Sequence, residues 1–159
     1  MKRTLIAGFG NVLRGDDGFG IAVLDRLQSR GGLSEHVVLL EVGTGGLQLA
    51  QALLDPYDRV IVVDAMSDGR APGHLYVRRV ESVLAAQEVD LHLAVPAQAL
   101  AVAQALRPLP AEVYLVGCEP AATDELHMGL SSAVEATVNR AVRAIDDLMS
   151  AARPVEVSP

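Results

Sequence analysis

Apolar residues fall along this chain in short β-branched runs separated by longer stretches with helical spacing. That is the pattern of βαβ units around a mostly parallel sheet, and it sets the fold class as α/β. Residues 4–8, Thr-Leu-Ile-Ala-Gly, form the first predicted strand. A helix over residues 18–28 follows, with Phe19, Val23 and Leu27 on one face beside Leu24, and Gly31-Gly32 ends it. Residues 36–42 make a second strand. Gly45-Gly46 opens a second helix over residues 47–54, which stops before Pro56 because proline disfavours helix at the preceding residue. Arg59–Ala65 holds the unbroken run Val60-Ile61-Val62-Val63, expected of a central strand covered on both faces. Residues 73–80 alternate instead, Leu75, Val77 and Val80 against Arg78 and Arg79, which suits an antiparallel edge strand. An Ala-rich helix over residues 96–107 and a strand over residues 112–117 complete the middle of the chain. In the last helix Ser132 and Glu135 have capping-box spacing, and Val134, Val138, Ala141, Val142, Ile145, Leu148 and Met149 follow on one face. Residues 154–159 read as a frayed tail after a single domain spanning residues 1–153, with no repeat and no linker.

Composition narrows the partners. Half of the 159 residues are hydrophobic, yet aromatics make up only 3% and Trp is absent, so Ala, Val, Leu and Ile must build the core. A net charge of -7 argues against nucleic acid and against an anionic membrane surface, both of which select basic faces. The lone Cys118 cannot form an internal disulfide, so nothing calls for an oxidising compartment. Met-Lys-Arg leads straight into the first strand, whose apolar run is too short for a signal peptide. No segment approaches the ~18 apolar residues of a membrane span. A soluble, cytoplasmic protein is expected.

In open α/β sheets ligands bind beyond the carboxyl ends of the strands. There the first strand runs into Gly8-Phe9-Gly10-Asn11 and on to Asp16-Asp17, the second into Glu41-Val42-Gly43-Thr44, and the third ends on Asp64. Asp90-Leu91-His92 precedes the third helix, and the last strand runs into Gly117-Cys118-Glu119-Pro120. A carboxylate closing a buried strand is costly unless it is paired, hydrogen-bonded or bound to a cation, although an Asp there commonly caps a local turn. Asp16 and Asp17 would ordinarily cap the following helix; two are more than one cap needs. His92 ordinarily would be a packing residue, and Cys118 a small buried filler rather than a soft ligand. Together Asp17, Asp64 and His92 would make an oxygen/oxygen/nitrogen set suited to a borderline divalent transition ion with positions left open. The competing motif is Gly8-Phe9-Gly10, the start of a dinucleotide fingerprint, with Glu41 where a ribose-binding acid would sit. Leu13 occupies the place of its third glycine, and Asp16-Asp17 sets negative charge where a pyrophosphate would bind.

Gly8-x-Gly10-Asn11-x-Leu13-x-x-Asp16-Asp17-x-x-Gly20 resembles the opening motif of the nickel–iron hydrogenase maturation endopeptidases. The resemblance continues through Gly43-Thr44, Val62-Val63-Asp64-Ala65, His92, Val116-Gly117-x-x-Pro120 and Gly129-Leu130-Ser131. It implies a single three-layer α/β/α domain with a twisted sheet of about five strands and helices on both faces. It implies an endopeptidase that removes a C-terminal extension from a hydrogenase large-subunit precursor after nickel insertion. Its three metal-associated positions map onto Asp17, Asp64 and His92, with nickel carried by the substrate and no nucleotide cofactor. Asp17 stands where the family commonly has glutamate, Glu41-Val42 where it usually has Asp-Gly, and Asp90-Leu91 where a serine often precedes the histidine. Asp64 is the best candidate for a catalytic group, with Asp17 as its candidate partner, and no base is assigned. The alternatives are a nickel-binding chaperone that uses the same ligands without cleaving, and a dinucleotide-binding module. Nothing in the last helix demands a dimer, so a monomer is expected.

Overall fold

The computed structural model describes residues 1–81, 94–121 and 126–151. Within them lie five strands: β1 (Thr4–Phe9), β2 (Val37–Gly43), β3 (Arg59–Ala65), β4 (Leu75–Arg79) and β5 (Glu112–Cys118). The helices are α1 (Phe19–Arg30), α2 (Leu47–Ala52), α3 (Ala94–Leu106) and α4 (Ser132–Ser150), and a 3-10 turn over Gly15–Gly18 leads into α1. The sheet order is β2-β1-β3-β5-β4. Its first four strands pair in parallel, and β4 joins the edge antiparallel to β5, as its alternating sequence predicts.

Strand alternation splits the core into two layers. Val60 and Val62 pack with Leu5, Ala7, Val113 and Leu115 against Leu49 and Leu53 near α2 and Leu100 and Ala103 of α3. Ile61 and Val63 point the other way, with Ile6, Tyr114 and Val116, against α1 and α4. The unbroken run in β3 is therefore apolar because both of its faces are covered. The apolar face of α4 is the expected one: Val134, Val138, Ala141, Val142, Ile145 and Leu148 are all buried.

At the amino end of the sheet Arg59 faces Glu112 across the β3–β5 pairing. The Nε of Arg59 donates to Oε2 of Glu112 at 2.6 Å, with the side chains only 2% and 6% exposed. Lys2 adds a second cation to the same carboxylate. Burial alone would raise the Glu112 pKa, but these two partners outweigh it and hold the carboxyl below its usual range.

One sequence expectation fails in α4. Ser131, not Ser132, is the N-cap, and no side chain caps the helix. Glu135 instead lies 3.8 Å from Arg26 of α1, so the Ser132–Glu135 spacing does not make a capping box.

Candidate active site

The chain leaves β1 for β2 on one side of it, then crosses back to place β3 on the other. The boundary between β1 and β3 is thus a switch point, where helices diverge and a crevice opens beyond the strand ends. Two glycines make that crevice tight. A Cβ on Gly20, in the first turn of α1, would lie 2.3 Å from the carbonyl oxygen of Phe9 and 2.4 Å from that of Val63. The helix therefore starts in direct backbone contact with both strands. Gly10 has φ +124°, and a Cβ there would lie 1.8 Å from the carbonyl oxygen of Asp17. The loop after β1 can fold back under the 3-10 turn only because this residue lacks a side chain.

The result sets Asp17 beside the end of β3. Asp64, which pairs with Gly117 of β5, is 8% exposed. Burial, and after it the charge of Asp17, push its carboxyl well above the ordinary 3.8, while the backbone N–H of Ala65 works in the opposite direction. Asp17 is half-buried, and its Oδ2 accepts the Asn11 N–H at 2.9 Å. Two carboxylates at one strand end, one of them buried and electrostatically strained, are what a cation would relieve. The donor chemistry fits a divalent ion. Among the described residues no three His, Cys, Asp or Glu side chains gather in metal-binding geometry. His92, the third expected ligand, lies outside the described residues.

Neither aspartate caps α1, contrary to expectation. Its N-cap is Gly18, with no side-chain cap bond. Asp16 turns the other way and is only 1% exposed. Its Oδ1 accepts the Ser131 N–H at 2.6 Å, and its Oδ2 accepts the Ala121 N–H at 2.8 Å and the Ser131 hydroxyl at 2.9 Å. Residues from both ends of the β5–α4 connection are thereby tied to the β1–α1 connection. A second tie runs beside it: Gly15 N–H donates to the carbonyl of His127 at 2.7 Å, and His127 N–H to that of Leu13 at 2.9 Å.

Other residues at the strand ends divide between expectation and surprise. Cys118 is fully buried, and burial pushes its thiol up to about 11, so it is an inert filler at neutral pH as its residue type suggests. Glu41 is exposed at the end of β2, and Val42 is part of the core. The glycines of the dinucleotide-like motif serve packing: a Cβ on Gly8 would sit 2.8 Å from the Gly20 carbonyl oxygen. Glu119, which follows directly on the last strand, is 6% exposed. It accepts the Tyr76 hydroxyl at 2.5 Å and the Asp68 N–H at 2.7 Å, anchoring the connection after β3. Burial alone would raise its pKa, but Tyr76 and the backbone N–H groups of Asp68, Arg70 and Gly69 prevail and lower it. A buried acid right after a buried strand was the available signal.

Tyr76→Phe removes that donor and should cost about 1.5–3 kcal/mol in urea unfolding at neutral pH, the range for hydrogen bonds to charged groups. Because the folded pKa of Glu119 is lowered, its contribution is present above its ordinary 4.5 and is lost as pH falls. The gap between wild type and variant should therefore close in acid.

Comparison with known proteins agrees with this architecture. The family model for HycI, hydrogenase maturation protease, matches residues 21–147, a span that holds Asp64 and His92 and begins just after Asp17. The chain is 33% identical over 144 residues to the hydrogenase expression/formation protein HupD of Rhodobacter capsulatus, covering 89% of this chain and 68% of HupD. It therefore spans about two thirds of the length of that relative. It is 31% identical over 146 residues to the hydrogenase 2 maturation protease of Escherichia coli, covering 90% of this chain and 88% of that protein. The solved structure of the hydrogenase maturating endopeptidase HybD from Escherichia coli superposes with a TM-score of 0.82 at 30% identity, covering 92% of each chain. With a matching family model, relatives along nearly its whole length and the same fold, the chain belongs to the hydrogenase maturation protease family, whose members are endopeptidases that process the C-terminus of a hydrogenase large subunit.

Proposed function

We propose that this chain acts as a monomer in the cytoplasm on a nickel–iron hydrogenase large-subunit precursor. It removes the C-terminal extension once nickel is in place, reading the substrate's nickel through Asp17, Asp64 and His92. One observation carries the proposal: a buried carboxylate, Asp64, ends the central strand with its pKa raised by burial and by the neighbouring Asp17. Such a pair is unfavourable when both groups are charged and becomes favourable when a cation arrives.

The nickel serves two ends in this scheme. It reports that the precursor is loaded, and it holds the scissile segment in register, the template role of a metal ion. The chain's own residues do the rest. Asp17 is set by its bond from the Asn11 N–H, and Asp64 by the rigid end of β3. Asp64, with Asp17 beside it, is the candidate for orienting the attacking water. No nucleotide is needed. Among the described residues no helix is long and apolar enough to cross a membrane.

His92→Ala and Asp17→Ala test the ligand set. Each should reduce processing of nickel-loaded precursor at least about 100-fold, within the range for loss of an interaction made at the reacting centre, while far-UV circular dichroism stays unchanged. Full cleavage by either variant would remove that residue from the nickel-reading set. A partner that binds and is never shortened would favour the chaperone reading.

A further inference from the structure

We propose that Asp16, which contributes no metal ligand, is the positioning residue of the site: it locks the β5–α4 connection against the β1–α1 connection and so fixes Asp17 opposite Asp64. The inference rests on the function proposed above and extends it to a residue that no motif reading distinguishes from its neighbour. Asp16 and Asp17 are adjacent in one 3-10 turn, yet they do opposite things. Asp17 is half-buried beside Asp64, whereas Asp16 is 1% exposed and points into a nest of donors from another part of the chain.

The partners of Asp16 are unusual for their places in the fold. Ser131 is the N-cap of α4, where a serine hydroxyl ordinarily accepts a bond from the first turn of its own helix. Here that hydroxyl donates to Asp16 instead, and the helix has no side-chain cap. The Ser131 N–H donates to the other carboxylate oxygen, and the Ala121 N–H donates from the exit of β5. Two termini of one connection, 10 residues apart in sequence, converge on a single buried carboxylate. Charge-assisted bonds of this kind are short and directional, so the turn carrying Asp17 has little freedom to rotate. A local helix cap needs no reach across the sheet; a device that holds a neighbouring ligand in place does. Removing such outer partners of metal-reading groups typically lowers activity or affinity about 10–100-fold.

Asp16→Asn is the direct test. Oδ2 accepts two of the bonds and Oδ1 the third, so either orientation of the amide turns its NH2 toward a donor. The second tie, between Gly15, Leu13 and His127, remains to hold the fold. Ser131→Ala removes one bond and keeps both N–H groups. The readouts are the rate of processing of a nickel-loaded large-subunit precursor per folded molecule, its KM, and the affinity and stoichiometry of Ni(II) alone for the isolated chain.

Asp16→Asn should lower kcat about 10–100-fold. It should weaken Ni(II) binding with the stoichiometry per folded molecule unchanged. Ser131→Ala should fall between it and wild type, with its melting temperature close to wild type. A merely structural role would lower the folded fraction and leave rate and affinity per folded molecule alone, and that result would overturn the proposal. If Asp16→Asn does not fold, Ser131→Ala decides on the same readouts. Wild-type protein that leaves a nickel-loaded precursor intact would instead defeat the proposed function, and nickel affinity would then decide the role of Asp16.

Discussion

Asp64→Ala should abolish processing of a nickel-loaded hydrogenase large-subunit precursor, by a factor on the order of 10³ or more, equivalent to about 4 kcal/mol of transition-state stabilisation. The residue ends β3 at the switch point between β1 and β3, with Asp17 beside it and the start of α1 tight against both strands. In the proposed function it is the group that meets both the nickel and the scissile bond. The same substitution should leave the fold intact, because the Asp64 carboxyl gives up only the backbone N–H of the adjacent Ala65 and its neighbours Val62 and Val63 hold the strand. Stability should in fact rise with the isosteric Asp64→Asn. The folded pKa of Asp64 is raised, so the native state holds its proton more tightly than the unfolded chain does. Stability conferred by the neutral acid is complete below its ordinary 3.8 and declines as pH rises toward the folded pKa, so wild type carries the full penalty above that point. Above that window Asp64→Asn removes the penalty and should gain on the order of 1 kcal/mol, roughly 2–4 °C in Tm for a domain of this size. A variant that is more stable and inactive is the mark of a strained functional group. Equal melting temperatures across pH would show that Asp64 is not strained.

Gly20→Ala should be the most damaging substitution outside the carboxylates. Its methyl group would stand 2.3 Å and 2.4 Å from the carbonyl oxygens of Phe9 and Val63, and 2.9 Å from the Phe9 nitrogen. None of these is the yielding end of a side chain. Helix α1 must lift off both strands, at a cost of about 3 kcal/mol or more, since overpacking a core already costs ~1–3 and here backbone opposes backbone. Thermal unfolding should fall by roughly 6–12 °C. Processing should be lost even at temperatures where the variant remains folded, because lifting the first turn of α1 carries Asp17 away from Asp64. Gly31→Ala provides the contrast: it sits just past the end of the same helix, and a Cβ there meets nothing within 4 Å. Its φ of +69° would cost about 1 kcal/mol, without loss of processing. Wild-type stability for Gly20→Ala would mean that the helix start is not seated on the strands.

Much of this fold is legible in the sequence because its signals are local. The run from Val60 to Val63 announces a doubly covered strand, and the alternation around Leu75, Val77 and Arg78 announces an edge; both are found. The spacing from Val134 to Leu148 gives the buried face of α4. What the sequence misplaces is polar and depends on long-range partners. Ser132 and Glu135 have the spacing of a capping box, yet Ser131 takes the N-cap position without a side-chain cap bond, its hydroxyl serving Asp16, and Glu135 meets Arg26 across the helix pair.

The pair Asp16-Asp17 shows the same limit at the site. Helix-capping preference fits either residue equally, and partners far along the chain, Ala121 and Ser131 at 105 and 115 residues away, separate the buried anchor from the carboxylate beside Asp64. Asp64 was recognisable because an acid ending an apolar strand is physically anomalous whatever surrounds it. Glu119 was anomalous in the same way, but its resolution lies in Tyr76 and the Asp68 N–H, 43 and 51 residues distant. His92 and its neighbours Asp90 and Leu91 fall outside the described residues, as does the stretch from residue 152 onward that holds the expected frayed tail.

The most direct measurement is the intact mass of the hydrogenase large-subunit precursor, with and without bound nickel, before and after incubation with this chain. Loss of one C-terminal fragment from the nickel-loaded precursor, and none from the nickel-free form, is the expected result. Equal cleavage of both forms would contradict nickel reading by Asp17, Asp64 and His92, and an unchanged mass of the loaded precursor would contradict the peptidase function itself.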